Sequence, residues 1–169
     1  MRLTTLIICV LLLSFFNLQA QHGGSSEHEV GEDHHCLFKK NSISLGAGAS
    51  YSFHFNGIGV NTRVYYNMGE HICFGPEFSF FKEGELDVYD INLIAHYIFE
   101  TKLVGIYPLF GANYTIEKDP HESEEAFGAV FGGGLHRNFG SFTVFAEYGH
   151  VQSRLKDDFV TVGAMFTIK

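Results

Sequence analysis

Cationic side chains are scarce in this sequence. Lysine and arginine together number 11 against 19 acids, and the formal charge is -8. They form no cluster. A chain without a basic patch cannot neutralise phosphates, which excludes nucleic acid as a partner. Sustained helical periodicity is missing. After the first twenty residues, no apolar run approaches the ~20 residues of a membrane-spanning helix. Tryptophan is absent and proline occurs three times, whereas glycine (19), phenylalanine (18) and tyrosine (8) are plentiful. Aromatics and glycines with so little proline favour many strands over helices. The hydrophobic share of 46% is that of a folded protein, and 169 residues suit one domain.

The opening "MRLTTLIICVLLLSFFNLQAQ" reads as a leader. Arg2 gives a charged start, Leu6 to Phe16 an apolar run, and "LQA" a small residue at the cleavage point, Ala20. Residues 1–20 are therefore expected to be a signal peptide. The run is too short for a spanning anchor. Cys9 lies inside it rather than at the cleavage point, which argues against a lipoprotein. Residues 21–40, "QHGGSSEHEVGEDHHCLFKK", are polar and histidine-rich with little to bury, and read as a flexible tail.

From residue 41 the pattern changes to period two, with turn residues about every ten positions. Eight strands are expected near 42–53, 59–68, 72–81, 86–99, 104–116, 126–138, 142–151 and 159–168. One face of each is apolar, as in Ile43, Leu45, Ala47, Ala49, Tyr51 and Phe53. The opposite face is small or polar, as in Ser42, Ser44, Gly46, Gly48, Ser50 and Ser52.

Two closed all-β architectures share this alternation. A soluble, lipocalin-like carrier turns its apolar face inward, and a transmembrane barrel turns it toward lipid. The second face decides between them. A wet exterior carries many charges, but here that face is mostly glycine, serine and asparagine, which suit a crowded interior. The absence of tryptophan also removes the glycine-x-tryptophan motif usual in lipocalins. Aromatics gather toward strand ends, as girdles at a membrane interface do. Lipid cannot satisfy an open sheet edge, so the sheet must close. The fold class read here is a closed, up-and-down antiparallel transmembrane β-barrel of about eight strands, spanning residues 41–169.

In this pattern the chain resembles the small outer-membrane barrels of the OmpA/OmpX type from Gram-negative bacteria, a porin-like group. The most specific element is the C-terminus, where Thr161, Gly163, Phe166 and Ile168 fit the insertion signal read by the outer-membrane assembly machinery. Members of that group often end on an aromatic, whereas this chain ends on Lys169. The resemblance implies a monomer in contact with outer-membrane lipids, with both termini periplasmic. It puts turns near 69–71, 100–103 and 139–141 in the periplasm, and loops near 54–58, 82–85, 117–125 and 152–158 outside. "EKDPHESEE" would then be the largest exposed feature. Cys36 and Cys73 would both lie at the periplasmic rim, where a disulfide is geometrically possible.

Three groups carry candidate chemistry. Arg63, Glu77, Asp90, His96 and Glu147 share the inward parity, and read either as a structural polar network plugging the lumen or as a gate or proton path. His22, His28, His34, His35 and Cys36 in the tail offer imidazole and thiolate to zinc, copper or nickel, although their spacing matches no defined motif. No other cofactor is indicated. "EYGHVQSR" is similar to the active-site stretch of lipid A deacylases, lipid-modifying barrel enzymes with a His–x–Ser–Asn motif. Here His150 and Ser153 are one residue too far apart for it. The expected role is structural, adhesive or surface-binding, without catalysis.

Overall fold

The computed structural model describes residues 40–101 and 103–168. The expectations for the leader, the tail histidines and Cys36 lie outside the described residues. Period-two sequence becomes extended backbone throughout. The strands are β1 (Ser42–Ser52), β2 (Gly57–Asn67), β3 (Ile72–Glu83), β4 (Leu86–Tyr97), β5 (Phe99–Glu100), β6 (Gly105–Lys118), β7 (Ser123–Asn138), β8 (Thr143–Gln152) and β9 (Asp157–Ile168). β5 continues β4 past Ile98, because it meets β6 in the register β4 already keeps (His96 opposite Leu109, then Phe99 opposite Ile106). The barrel therefore has eight staves. All pairings are antiparallel between chain neighbours, and β1 closes on β9.

The register fixes the tube's dimensions. From Ser42 the cross-strand partners run Asn67, Cys73, His96, Leu109, Gly132, Gly149 and Phe159. Phe159 pairs with Ser52, so one circuit returns to β1 ten residues from Ser42. A stagger of ten over eight strands tilts each by about 41° and gives a backbone radius of roughly 8 Å. Ten residues at that tilt rise about 25 Å, the height of the apolar band of a membrane barrel.

Turn chemistry closes the hairpins. Asn56 sits at φ 51 before Gly57, and Gly84 at φ 60 takes the first central position of a two-residue turn, as a II′ turn requires. Asp119 Oδ1 accepts from the backbone N–H groups of His121 (2.7 Å) and Glu122 (2.8 Å), an Asx turn around Pro120. The acidic stretch expected as a large loop is mostly strand. Lys118 pairs with Ser123, Glu117 with Glu124 and Ile116 with Glu125, leaving a four-residue turn, 119–122. Charge there marks where the strands leave lipid, not where pairing stops, because backbone pairing continues in water at little cost.

The two faces fall as the alternation requires. Ile58, Val60, Leu93, Phe110 and Val162 are exposed on the outside, while Ser50, Ser52, Asn61, Asn92, Asn113 and Thr161 are buried inside. Outward aromatics form a band at each end. Near the termini, Tyr66 meets Phe74 edge-on at 5.9 Å and Phe139 stacks on Phe142 at 5.4 Å. At the opposite rim, Phe80 meets Tyr89 at 5.1 Å and Tyr114 stacks on Phe127 at 4.4 Å. The interior holds more bulk than its glycine and serine content suggests, since Tyr65, Phe81, Ile94, Phe145 and Val130 are all fully buried.

Large and small residues face each other across neighbouring strands. Gly163 is the register partner of Phe145, and a Cβ on Gly163 would come within 2.5 Å of that ring. Gly134 lies opposite both Glu147 and Tyr107, where a Cβ would meet Glu147 Cγ and Tyr107 Cζ at 2.7 Å. The glycines thus provide space for specific neighbouring side chains.

Leu93 lies on the outward face at 58% exposure, well within β4. Leu93→Arg is expected to destabilise the barrel by about 2–4 kcal/mol in lipid vesicles, measured by urea unfolding, since arginine at the bilayer midplane costs that much. On a water-washed surface the same change would cost almost nothing.

Candidate functional site in the barrel lumen

Arg63 on β2 reaches across the tube to Glu147 on β8. Its Nη1 donates to Glu147 Oε1 at 2.7 Å and Oε2 at 2.6 Å. These strands are not neighbours, since β1 and β9 lie between them. The same Nη1 stands 3.5 Å from Glu77 Oε1 on β3, while Nε donates to Asn61 Oδ1 at 2.9 Å. The guanidinium lies over the Phe145 ring at 4.0 Å, which replaces lost hydration with a cation–π contact. Arg63 is a long side chain that only glycine opposite can accommodate: a Cβ on its register partner Gly46 would fall 2.8 Å from Arg63 Cγ.

Two tyrosines hold the carboxylates in place. Tyr65 OH donates to Glu77 Oε1, and Tyr107 OH donates to Glu147 Oε1 at 2.7 Å. Glu77 Oε2 also accepts from Asn61 Nδ2 at 3.3 Å. His96 lies among these groups, its ring 4.8 Å from both tyrosine rings. Its Nδ1 is 3.4 Å from Cys73 Sγ, the residue directly opposite on β3. All of these side chains are buried.

The inward charged residues read from the sequence do not form one network. Arg63, Glu77, Glu147 and His96 share one cluster. Asp90 belongs to another, accepting from Thr115 Oγ1 at 2.5 Å and Asn113 Nδ2 at 3.2 Å. A third group at the far rim centres on Asp157, which accepts from Ser52 Oγ at 2.8 Å and His54 N–H at 3.2 Å. The sequence reading missed Tyr65 and Tyr107 as network members. Their inward parity was available, but which carboxylate each would meet depends on strands distant in sequence. Cys73 points into the lumen rather than at an open rim, and is 1% exposed.

On the outer face, His150 Nδ1 lies 2.8 Å from Asp158 Oδ1, and Tyr148 OH donates to the same oxygen. Ser153 Oγ donates to Leu155 O at 2.7 Å. The serine and the histidine are thus engaged by different partners. Of the C-terminal signal residues, Thr161 is buried inside and bonded to Ser50 at 2.7 Å, whereas Phe166 and Ile168 face outward.

No protein-family model matches the sequence, and no curated protein matches it. Solved structures do resemble the fold. The N-terminal β-barrel domain of Pseudomonas aeruginosa OprF superposes with a TM-score of 0.68 at 15% identity, covering 78% of this chain and 100% of that one. Ail, the attachment invasion locus protein of Yersinia pestis, gives 0.54 at 21% identity, covering 75% and 97%. Neisserial surface protein A gives 0.53 at 13% identity, covering 76% and 96%. At such identities the likeness is one of fold, and it is the eight-stranded barrel expected from the resemblance to OmpA/OmpX-type proteins.

Removing Arg63 leaves two buried carboxylates, Glu77 and Glu147, without their shared cation. Arg63→Met alone is expected to lower stability by about 3–5 kcal/mol in detergent unfolding, whereas adding Glu77→Gln and Glu147→Gln should restore most of it. A single-variant loss below about 1 kcal/mol would show that Arg63 does not organise the lumen.

Proposed function

We propose that this chain is an integral outer-membrane barrel protein of a Gram-negative cell, exported by its leader and serving a structural, adhesive or surface-binding role. The observation that carries this reading is the closed sheet whose exterior is apolar between two aromatic bands. Such a surface is stable only in lipid. Residues 21–40 and the C-terminus face the periplasm in this reading, and the turns at 53–56, 84–85, 119–122 and 153–156 face outside. Thr161, Gly163, Phe166 and Ile168 engage the assembly machinery, and the barrel works as a monomer.

The lumen supports a plugged tube rather than a wide pore. Arg63 and Glu147 bridge it, and the rings of Tyr65, Tyr107 and Phe145 pack around them. Binding therefore falls to the outer rim. Residues 82–87, 117–125 and 153–158 contain ten acids and four bases, so this rim favours cationic partners. Ail has been crystallised in complex with the heparin analogue sucrose octasulfate; an acidic rim would repel such a polyanion. A catalytic reading gains no support, because His150 and Ser153 are turned to separate partners and a nucleophile needs its base within hydrogen-bond reach.

Outer-membrane fractions should contain the protein as a band whose gel mobility shifts on boiling. A short epitope inserted between Pro120 and His121 should be labelled on intact cells. Recovery of a folded protein without detergent would overturn the membrane assignment. Labelling only after permeabilisation would reverse the proposed orientation and leave the barrel reading intact.

A further inference from the structure

The lumen cluster has an unused donor. Glu77, His96 and Glu147 each place a ligand atom within 4.8 Å of the other two. All three are at least nine-tenths buried, at 2%, 4% and 5% exposure. His96 Nδ1 is engaged with Cys73 Sγ, while its Nε2 is buried and has no partner among the described residues. A contact at Nδ1 that fixes the ring and leaves Nε2 open is the arrangement found behind metal-binding histidines. In the tautomer that donates Nδ1–H to Cys73 Sγ, Nε2 is a bare lone pair in a dry interior, costly without an electrophile or donor to meet it.

The carboxylates are already set in place. Tyr65 holds Glu77 and Tyr107 holds Glu147, and the His96 ring packs against both tyrosines. Arg63 does not compensate both acids equally: it grips Glu147 with two short contacts and only approaches Glu77 at 3.5 Å. Among the described residues, the buried interior holds the carboxylates of Glu77, Asp90, Glu147 and Asp157 against one guanidinium. A dication would offset part of that excess. One nitrogen and two carboxylate oxygens suit a first-row transition dication better than calcium or magnesium, which favour oxygen alone.

We infer that Glu77, His96 and Glu147 form a lumenal site for a transition-metal dication such as zinc, with Arg63 remaining on Glu147 as its charge partner. Cys73 acts as a positioning residue through Nδ1 of His96. The site is separate from the tail histidines, and it rests on the barrel fold rather than on any assigned cellular role.

The test uses the full mature protein, folded in detergent, loaded with zinc and passed over a chelating resin. Retained zinc is measured by mass spectrometry, and the unfolding temperature is recorded with and without the metal. About one ion per chain and a raised unfolding temperature are expected. His96→Gln and Glu77→Gln should each lose the retained ion and the temperature rise, and Cys73→Ser should weaken zinc about tenfold or more. Replacing His22, His28, His34 and His35 with alanine should change neither readout. Heat-shifted gel mobility confirms that each variant is folded. Zinc lost with the tail variant but kept by His96→Gln would overturn the site, as would folded wild-type protein that retains no zinc. Both results would leave the barrel reading standing.

Discussion

Closure of β1 onto β9 is the constraint from which the rest follows. Hydrocarbon offers no hydrogen-bond partners, so each strand edge must find another strand. Ser52–Ile43 pairs along its length with Phe159–Ile168, and no edge remains. Closing eight strands with a stagger of ten also sets the radius, and the radius sets the interior volume. The interior chemistry is a response to that volume.

A tube this narrow is filled by matching residues across strands. Gly163 gives way to Phe145, Gly46 to Arg63, and Gly134 to Glu147 and Tyr107. Each glycine lies opposite the bulk it accommodates. This arrangement allows a long cationic side chain to cross the lumen without clashing. The crossing then joins β2 to β8, strands that share no backbone hydrogen bonds, so the polar cluster braces the tube from within.

The charge pattern follows the same division. Within the band facing lipid, charged side chains point inward, where they can pair. Beyond it they crowd the strand ends and turns, and the strands keep pairing into water, as β6 and β7 do from Ile116 to Lys118 opposite Ser123 to Glu125. Reading loops from composition alone therefore ended β6 too early, at 116 rather than Lys118, and began β7 too late, at 126 rather than Ser123. At Asn56 and Gly84 the sequence marked the turns correctly, because positive φ is a local property of those residue types.

Alternation by itself determined the strands, their inward and outward faces, and the need to close, because all three depend on neighbours one or two residues away. Ser42 to Ser52 shows its buried and lipid faces without any knowledge of the fold. Which inward residues meet was decided only in three dimensions. Glu77 and Asp90 look alike in sequence, yet one joins Arg63 and the other joins Thr115 and Asn113. Register and stagger around the whole circuit bring Arg63 to Glu147, 84 positions apart, and no local pattern encodes a sum taken over eight pairings.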